Sequence, residues 1–314
     1  MTSVFLTGAS GFIGSQLASV ISKKFYLCQA FRNEPEITPL SDFVLCDYND
    51  DSSLSLALKN IDVVIHCAGR AHILNKNNED QISLFRKVNV DTTLRLARAA
   101  IKSGVKRFIF LSSIGVNGSS NRTPFTEQDI PAPIQDYAIS KLEAENGLQE
   151  ITLSSRMELV IIRPPLVYGP NAPGNFEKLM YWMYKNIPLP LGAIHNKRSF
   201  VSLDNLVDLI VTCIEHPAAA NQVFLVADGK DLSTTEFLNL ISFTFGKKPH
   251  LLPINQKALE FFLILMGKKD LVERLCESLQ VDISKAQKLL DWTPPNSIEE
   301  ELQKTAKYFL ESQS

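Results

Sequence analysis

Val4-Phe5-Leu6-Thr7-Gly8-Ala9-Ser10-Gly11-Phe12-Ile13-Gly14 opens the chain and leads into a helical run from Ser15 to Ser22. A short apolar run gives way to three glycines spaced three apart, then to apolar residues at helical intervals (Phe12, Ile13, Leu17, Ile21), which reads as strand, tight turn, helix. Gly8 can take backbone angles closed to a side chain, Gly11 lets amides approach a diphosphate, and Gly14 lets the helix lie against the strand. The positive helix N-terminus completes a phosphate cradle. Glycine turns also close ordinary strand–helix units, so the loop alone leaves a plain structural turn open.

Outward from this loop, Tyr26 to Phe31, Phe43 to Cys46, Asp62 to Cys67, Phe108 to Leu111 and Leu159 to Ile162 read as strands, with helical patterns between most of them. Strands apolar on both faces and separated by amphipathic helices require a parallel sheet covered on both sides. The expected fold is α/β, a Rossmann-type doubly wound parallel sheet whose ligand lies across the carboxyl ends of the strands. From about Pro164 the texture changes to a loop crowded with Pro164, Pro165, Gly169, Pro170, Pro173 and Gly174, followed by shorter elements. Residues 1–165 are therefore expected to form the dinucleotide-binding domain and 166–314 a smaller C-terminal substrate-binding lobe. Segments around 198–228, with a helix from Asp204 to Glu215 and a strand from Val223 to Val226, are expected to return to the main sheet.

The chain has 314 residues, 45% hydrophobic and 21% charged, with a formal net charge of −2, so it is long enough for one large core or two unequal lobes. That charge offers no long-range attraction to nucleic acid. The sequence goes directly into its first strand, without a basic leader or signal-peptide core, so a cytoplasmic location is expected. Leu259 to Met266 is the longest suspicious apolar run, contains Glu260 and is far shorter than the ~20 residues of a membrane span. It reads as an amphipathic helix packed on the small lobe, with a lipid surface as the alternative resting place. Cys28, Cys46, Cys67, Cys213 and Cys276 form no Cys-x-x-Cys pair and read as reduced core residues, and the five histidines show no ligand spacing, so no metal site is expected.

The acidic residue that would end the second strand and bind the ribose hydroxyls of NAD is missing. Phe31 stands near that place and Arg32 follows, and a cation there pairs with a 2′-phosphate, favouring NADP(H) over NAD(H); the alternative is a solvated loop arginine. Ser112-Ser113 directly follows the fifth strand, and Tyr137-Ala138-Ile139-Ser140-Lys141 begins a long helical pattern. Four apart on one helix face, Lys141 is placed to lower the phenol pKa of Tyr137 and to help hold a nicotinamide ribose, while Ser113 holds the substrate oxygen. Acid–base help beside an aligned cofactor is what hydride transfer at an alcohol carbon requires.

Thr7-Gly8-Ala9-Ser10-Gly11-Phe12-Ile13-Gly14, His66-Cys67-Ala68-Gly69, Asn89-Val90, Leu111-Ser112-Ser113, Tyr137-x-x-x-Lys141, Arg163-Pro164-Pro165-Leu166-Val167-Tyr168-Gly169-Pro170 and Arg198-Ser199-Phe200-Val201 resemble, in order, the motif series of the extended short-chain dehydrogenases. Within that NAD-dependent epimerase/dehydratase family the chain is most similar to the nucleotide-sugar branch of bacterial surface-polysaccharide (O-antigen) synthesis. The resemblance implies Tyr137 as the acid–base, Lys141 as its partner and ribose ligand, and Ser113 as the residue bonding the sugar oxygen. It implies that Gly8, Ser10, Gly11, Phe12, Ile13 and Gly14 hold the cofactor diphosphate, Asp47 and Tyr48 the adenine edge and Cys67, Ala68 and Gly69 the adenine ribose side. Asn89, Pro164 and Leu166 complete the implied cofactor site. Asn175 and Arg198 match positions facing the sugar nucleotide's phosphates, with Arg274 a weaker second contact; Asn175 reads equally as a helix cap. Two positions depart from the family pattern, Val116-Asn117-Gly118 in place of Val-Tyr-Gly and Thr92 in place of a glycine, and both are expected beside the sugar pocket. Relatives of this kind commonly form homodimers through helices around Asn89 and Tyr137.

The activity these residues point to is oxidoreduction at C4 of a nucleotide-activated hexose of the UDP-N-acetylhexosamine type. Arg32 ranks an NADP(H)-preferring 4-ketoreductase first, and a UDP-glucose or UDP-N-acetylglucosamine 4-epimerase with tightly held NAD second. A lipid-linked sugar diphosphate is a further substrate reading. A non-catalytic dinucleotide-sensing regulatory protein would typically lack the tyrosine–lysine pair, and a dehydratase needs a carboxylate pair where this chain has Ile114-Gly115.

Overall fold

A computed structural model describes residues 1–35, 38–71 and 81–313, the side chain of Asn175 excepted. The chain runs β1 (Ser3–Thr7), α1 (Phe12–Ile21), β2 (Tyr26–Phe31), β3 (Asp42–Leu45), α2 (Asp51–Ala57), β4 (Val63–His66), α3 (Gln81–Phe85), α4 (Thr92–Lys102) and β5 (Arg107–Leu111). It continues with α5 (Asp136–Leu153), β6 (Glu158–Arg163), β7 (Leu166–Tyr168), α6 (Asn175–Tyr184), β8 (Phe200–Ser202), α7 (Leu203–Glu215) and β9 (Gln222–Leu225). The last elements are α8 (Thr234–Thr244), α9 (Gln256–Leu265), α10 (Lys269–Leu275), α11 (Ser284–Leu290) and α12 (Ile298–Gln313).

Seven parallel strands form one sheet in the order β3-β2-β1-β4-β5-β6-β9. The order reverses beside β1, and the crevice of a doubly wound sheet opens at such a switch point. β1, β4 and β5 are buried along their whole length because helices cover both faces, which is why their sequences do not alternate. One core packs α1 and α7 on the sheet through Leu17, Ile21, Leu206 and Ile210. The other packs α2, α4 and α5 through Leu54, Leu96, Ala144 and Leu148. β9 joins the sheet one residue earlier than expected from Val223–Val226, and β3 likewise precedes the expected Phe43–Cys46, leaving Cys46 just past its end. All five cysteines are free thiols.

A third cluster, built on Tyr168, Phe176, Met180, Phe200, Phe237 and Leu302, lies under α6, α8 and α12. Here β7 pairs with β8 in a separate two-stranded parallel sheet. Side-chain caps fix where these helices start: Ser202 accepts from the Asn205 amide to open α7, and Ser233 with Glu236 forms a reciprocal box at α8. The cap of α6 is Gly174, so Asn175 is the first helical residue and not the cap. Its side chain lies outside the described residues.

Helix α9 differs from the expected packing. Leu259 is its buried residue, whereas Phe261, Phe262, Ile264, Leu265 and the following Met266 are exposed. Periodicity shows that a helix has faces; where a helix is apolar most of the way round, it does not show which face is turned inward.

Candidate active site

The loop between β1 and α1 closes on itself through a Gly11 amide to Gly8 carbonyl bond of 2.9 Å, with Gly11 at the N-cap of α1. Gly8 has φ +73°, and a Cβ there would stand 2.7 Å from the Ala68 amide. A Cβ on Gly14 would stand 2.0 Å from the Gly8 carbonyl oxygen. The loop, the helix start and the β4 exit therefore touch backbone to backbone, leaving the α1 N-terminal amides bare for a diphosphate. The helix begins at Phe12, earlier than Ser15, because the glycine turn itself supplies the cap. Ser10 is exposed, and Phe12 and Ile13 are half-buried against the first core.

The other candidates sit at the carboxyl ends of neighbouring strands. Arg32 follows β2 and is exposed; its charge reaches Tyr48, whose phenol burial pushes well above its ordinary pKa. Asp47 and Tyr48 follow β3, the former exposed and accepting from the Asn49 amide at 2.8 Å, the latter buried. Cys67, Ala68 and Gly69 follow β4. Burial pushes the Cys67 thiol up to about 12, so it stays protonated. A Cβ on Gly69 would lie 3.4 Å from both Asn89 Oδ1 and Lys141 Nζ, so glycine leaves a path to that ammonium. Pro164 is buried after β6, and Leu166, on β7, is largely exposed.

α5 presents Tyr137 and Lys141 one turn apart. Lys141 is buried; its Nζ donates to the Leu111 carbonyl at the end of β5 (2.8 Å) and lies 4.4 Å from the Phe110 ring centroid. Burial lowers its pKa to about 8, opposed by the nearby Cys67 and Glu145. The Tyr137 ring meets Phe85 edge-on at 6.1 Å, and desolvation pushes its hydroxyl up to about 12. This is opposite to the lowering expected from Lys141: the ammonium is turned to the strand-end carbonyl, and burial of the phenol dominates. Ser113, half-buried between β5 and α5, accepts from the Gly115 amide at 3.1 Å through Oγ.

Asn89 is clamped beneath this pair. Its Oδ1 accepts from the Arg70 amide (2.8 Å), and its Nδ2 donates to the Arg70 carbonyl (3.1 Å) and to Ser140 Oγ (3.0 Å). It lies in a one-turn π-helical stretch, Arg86–Asp91, a kind of bulge often found at functional sites. Thr92 closes that turn by donating to the Lys87 carbonyl at 3.2 Å.

Sequence reasoning missed a buried polar network at the ends of β5 and β6. Arg163, at the end of β6, donates to Glu145 of α5 through Nε (3.0 Å) and a terminal nitrogen (2.5 Å), and to Asn117 Oδ1 through the other (2.9 Å). Ser112 Oγ donates to the same carboxylate, and Asn117 Nδ2 donates to the Thr126 carbonyl (3.0 Å). Asn117, expected beside the sugar pocket, is thus a buried link that satisfies Arg163. Glu145 stands one turn beyond Lys141 on α5, a recurrence that hinted at a shared face. Its partners Arg163 and Ser112, 18 and 33 residues away in the chain, meet it only through the sheet.

Arg198 is anchored by the segments around Leu232 and residues 273–279. Its backbone bridges Leu232 and Leu279, and one guanidinium nitrogen donates to the carbonyls of Glu273 (3.2 Å) and Glu277 (2.9 Å). Arg274, on α10, is exposed. Among the described residues no group of three or more His, Cys, Asp or Glu side chains could hold a metal ion.

The bare cradle, the opening at Gly69 and the α1 N-terminus fit a dinucleotide at the switch point of the sheet. Comparison with known proteins agrees. Residues 4–227 match the model of the NAD dependent epimerase/dehydratase family. The chain is 45% identical to a UDP-glucose 4-epimerase of Vibrio cholerae, the match spanning 99% of this chain and 96% of that one. It is 28% identical to an N-acetyl-alpha-D-glucosaminyl-diphospho-ditrans,octacis-undecaprenol 4-epimerase of Escherichia coli O157:H7, over 97% and 94% of the two chains. Its fold is shared, at a TM-score of 0.81, 23% identity and full coverage of both chains, by the crystal structure of a UDP-glucose 4-epimerase with UDP-glucose from Thermotoga maritima.

Proposed function

The chain belongs to the NAD dependent epimerase/dehydratase family, and from that premise we propose that it interconverts the C4 epimers of a nucleotide-activated hexose of the UDP-hexose type. The observation that ranks epimerisation above net 4-keto reduction is the end-to-end likeness to the Vibrio cholerae UDP-glucose 4-epimerase. It reverses the order suggested by Arg32.

In this reading Gly8, Ser10, Gly11, Phe12, Ile13 and Gly14 hold the cofactor diphosphate, and Asp47, Tyr48 and Cys67 to Gly69 flank its adenosine half. Asn89, Pro164 and Leu166 border the same crevice. A nicotinamide dinucleotide held there would supply the hydride acceptor and donor for C4. Tyr137, as the phenolate, takes the proton of the 4-hydroxyl as C4 becomes a ketone, and as the phenol gives it back when the opposite epimer forms. Net charge and electrons balance over the cycle, with nothing consumed. Ser113 donates to the sugar oxygen, Lys141 holds the ribose, and Arg198 meets the substrate phosphates.

A solution test is to release and identify any dinucleotide carried by the purified protein. Near-stoichiometric NAD supports a recycled cofactor; protein that arrives empty and binds NADPH far more tightly than NADH overturns it. That second outcome is the ketoreductase reading, which Arg32 and the lack of an acidic residue ending β2 support. Its own check is Arg32→Asp, which on that reading shifts preference from NADP(H) to NAD(H).

A further inference from the structure

Helix α9 turns Gln256 and Glu260 inward. Gln256 Nε2 donates to Glu260 Oε1 (2.8 Å) and to the Cys276 carbonyl (3.2 Å), and this arc, with Leu259 and half-buried Leu263, faces α10. At 100° per residue the opposite arc carries Lys257, Phe261, Phe262, Ile264 and Leu265. Phe261, Phe262, Ile264, Leu265 and Met266 are 63, 59, 56, 73 and 64% exposed, and the two phenyl rings stand edge-on at 6.0 Å. Single exposed apolar residues are ordinary; five large ones within two turns make a contiguous apolar patch of the kind that marks an interaction surface.

The lysines around that surface say what it meets. Lys257 lies on the same arc toward the start of the helix, Gly267 turns the chain at φ +69°, and Lys268 and Lys269 stand exposed at the tip. The one acidic residue of α9, Glu260, is turned to Gln256, and Asp270 is the next acid beyond the tip. An apolar arc with a phenylalanine pair, bracketed by lysines, matches the interface of an anionic bilayer: the side chains enter the headgroup boundary and the ammonium groups meet phosphates. A second copy of this chain fits less well, because a two-fold contact through this face would bring the three lysines of each copy together. No helix among the described residues is long and apolar enough to cross a membrane, so the contact is peripheral.

We propose that the outward face of α9 docks the protein on anionic phospholipid bilayers. The consequence reaches the substrate side of the molecule, because the α9–α10 hairpin carries Glu273, whose carbonyl receives Arg198. Docking brings that arginine's end of the lobe toward the membrane surface, where a sugar diphosphate linked to a lipid would be met. The docking itself does not depend on which activated sugar is used.

The test is flotation of the full-length protein with vesicles of phosphatidylcholine alone or mixed with phosphatidylglycerol, at low and high salt. The expected result is recovery with the anionic vesicles, weakened by salt, and a loss of about tenfold or more in both Phe261→Ser/Phe262→Ser/Leu265→Ser and Lys268→Glu/Lys269→Glu. All five side chains point to solvent, so circular dichroism, melting and turnover of a water-soluble UDP-hexose should match the parent. Failure of the protein to float with either vesicle overturns the proposal, as does flotation of the triple-serine variant equal to the parent. A triple-serine variant that instead turns a dimer into a monomer by sedimentation assigns the face to a second copy and overturns it too. Flotation without 4-epimerase activity would leave the docking standing and remove only the catalytic reading.

Discussion

Replacing Arg163 by methionine should cost about 3–5 kcal/mol of folding stability. Arg163 is 5% exposed and its partner Glu145 1% exposed, and the substitution keeps bulk while stranding a carboxylate in the interior. Breaking one side of a buried ion pair typically costs about 3–5 kcal/mol because the remaining charge loses its compensation. Two local details set the figure within that range. Ser112 still donates to Glu145, which moves the cost toward the lower end, while Asn117 Oδ1 loses its donor, which adds about 1 kcal/mol. Against a total stability of about 5–15 kcal/mol the variant is marginal but measurable. Pairing it with Glu145→Met removes the stranded charge, and the double variant should recover all but about 2 kcal/mol, the remainder being the Ser112 hydroxyl and the Asn117 amide oxygen, which have lost their partners. The assay is urea unfolding followed through Trp292, which is buried in the first core, with the slope checked for constancy. A single variant costing under about 1 kcal/mol, or a double variant whose cost equals the sum of the two singles, would refute the argument that Glu145 and Arg163 stabilise each other.

Tyr137→Phe should lower turnover by about 10²–10⁴ or more while dinucleotide affinity changes little, measured by steady-state assay and titration; a retained rate removes the phenol from the proton path. Gly14→Ala would place a methyl 2.0 Å from the Gly8 carbonyl oxygen, so dinucleotide affinity should collapse even where circular dichroism shows a folded chain, and unaltered binding would contradict the cradle. Lys141 supplies a pH signature: its folded pKa, near 8, lies below the unfolded value of about 10.5, so the unfolded chain binds more protons between them. Its burial penalty is therefore full below pH 8 and relieved as pH rises toward 10.5, and the stability of the parent relative to Lys141→Met should climb across that window. A flat difference would mean that the ammonium is not desolvated.

The glycine loop, the strand ends and the tyrosine–lysine spacing were legible in the sequence because local chemistry decides them. β2 falls on Tyr26–Phe31 as read, and the bare Gly8 and Gly14 positions are imposed by backbone contact alone. The neutralising network of Glu145, Arg163 and Asn117 was not legible, since its members come from α5, the end of β6 and the loop after β5. Asn117 looked like a departure from a motif until Arg163 was found against it. The direction of Lys141 was likewise hidden, as its acceptor is a carbonyl that only strand pairing brings within reach. For α9, alternation of apolar and polar residues is nearly silent, and the deciding fact is that Gln256 and Glu260 find partners inward.

The account rests on a hydride that leaves C4 and comes back to the same carbon. Substrate UDP-glucose carrying deuterium at C4, incubated with the purified protein and followed by NMR, tests this directly. The predicted result is UDP-galactose with the deuterium retained at C4 and no net change in reduced dinucleotide. Loss of the label to solvent, or an absence of epimer together with NADPH-dependent reduction of a 4-keto sugar nucleotide, would contradict it.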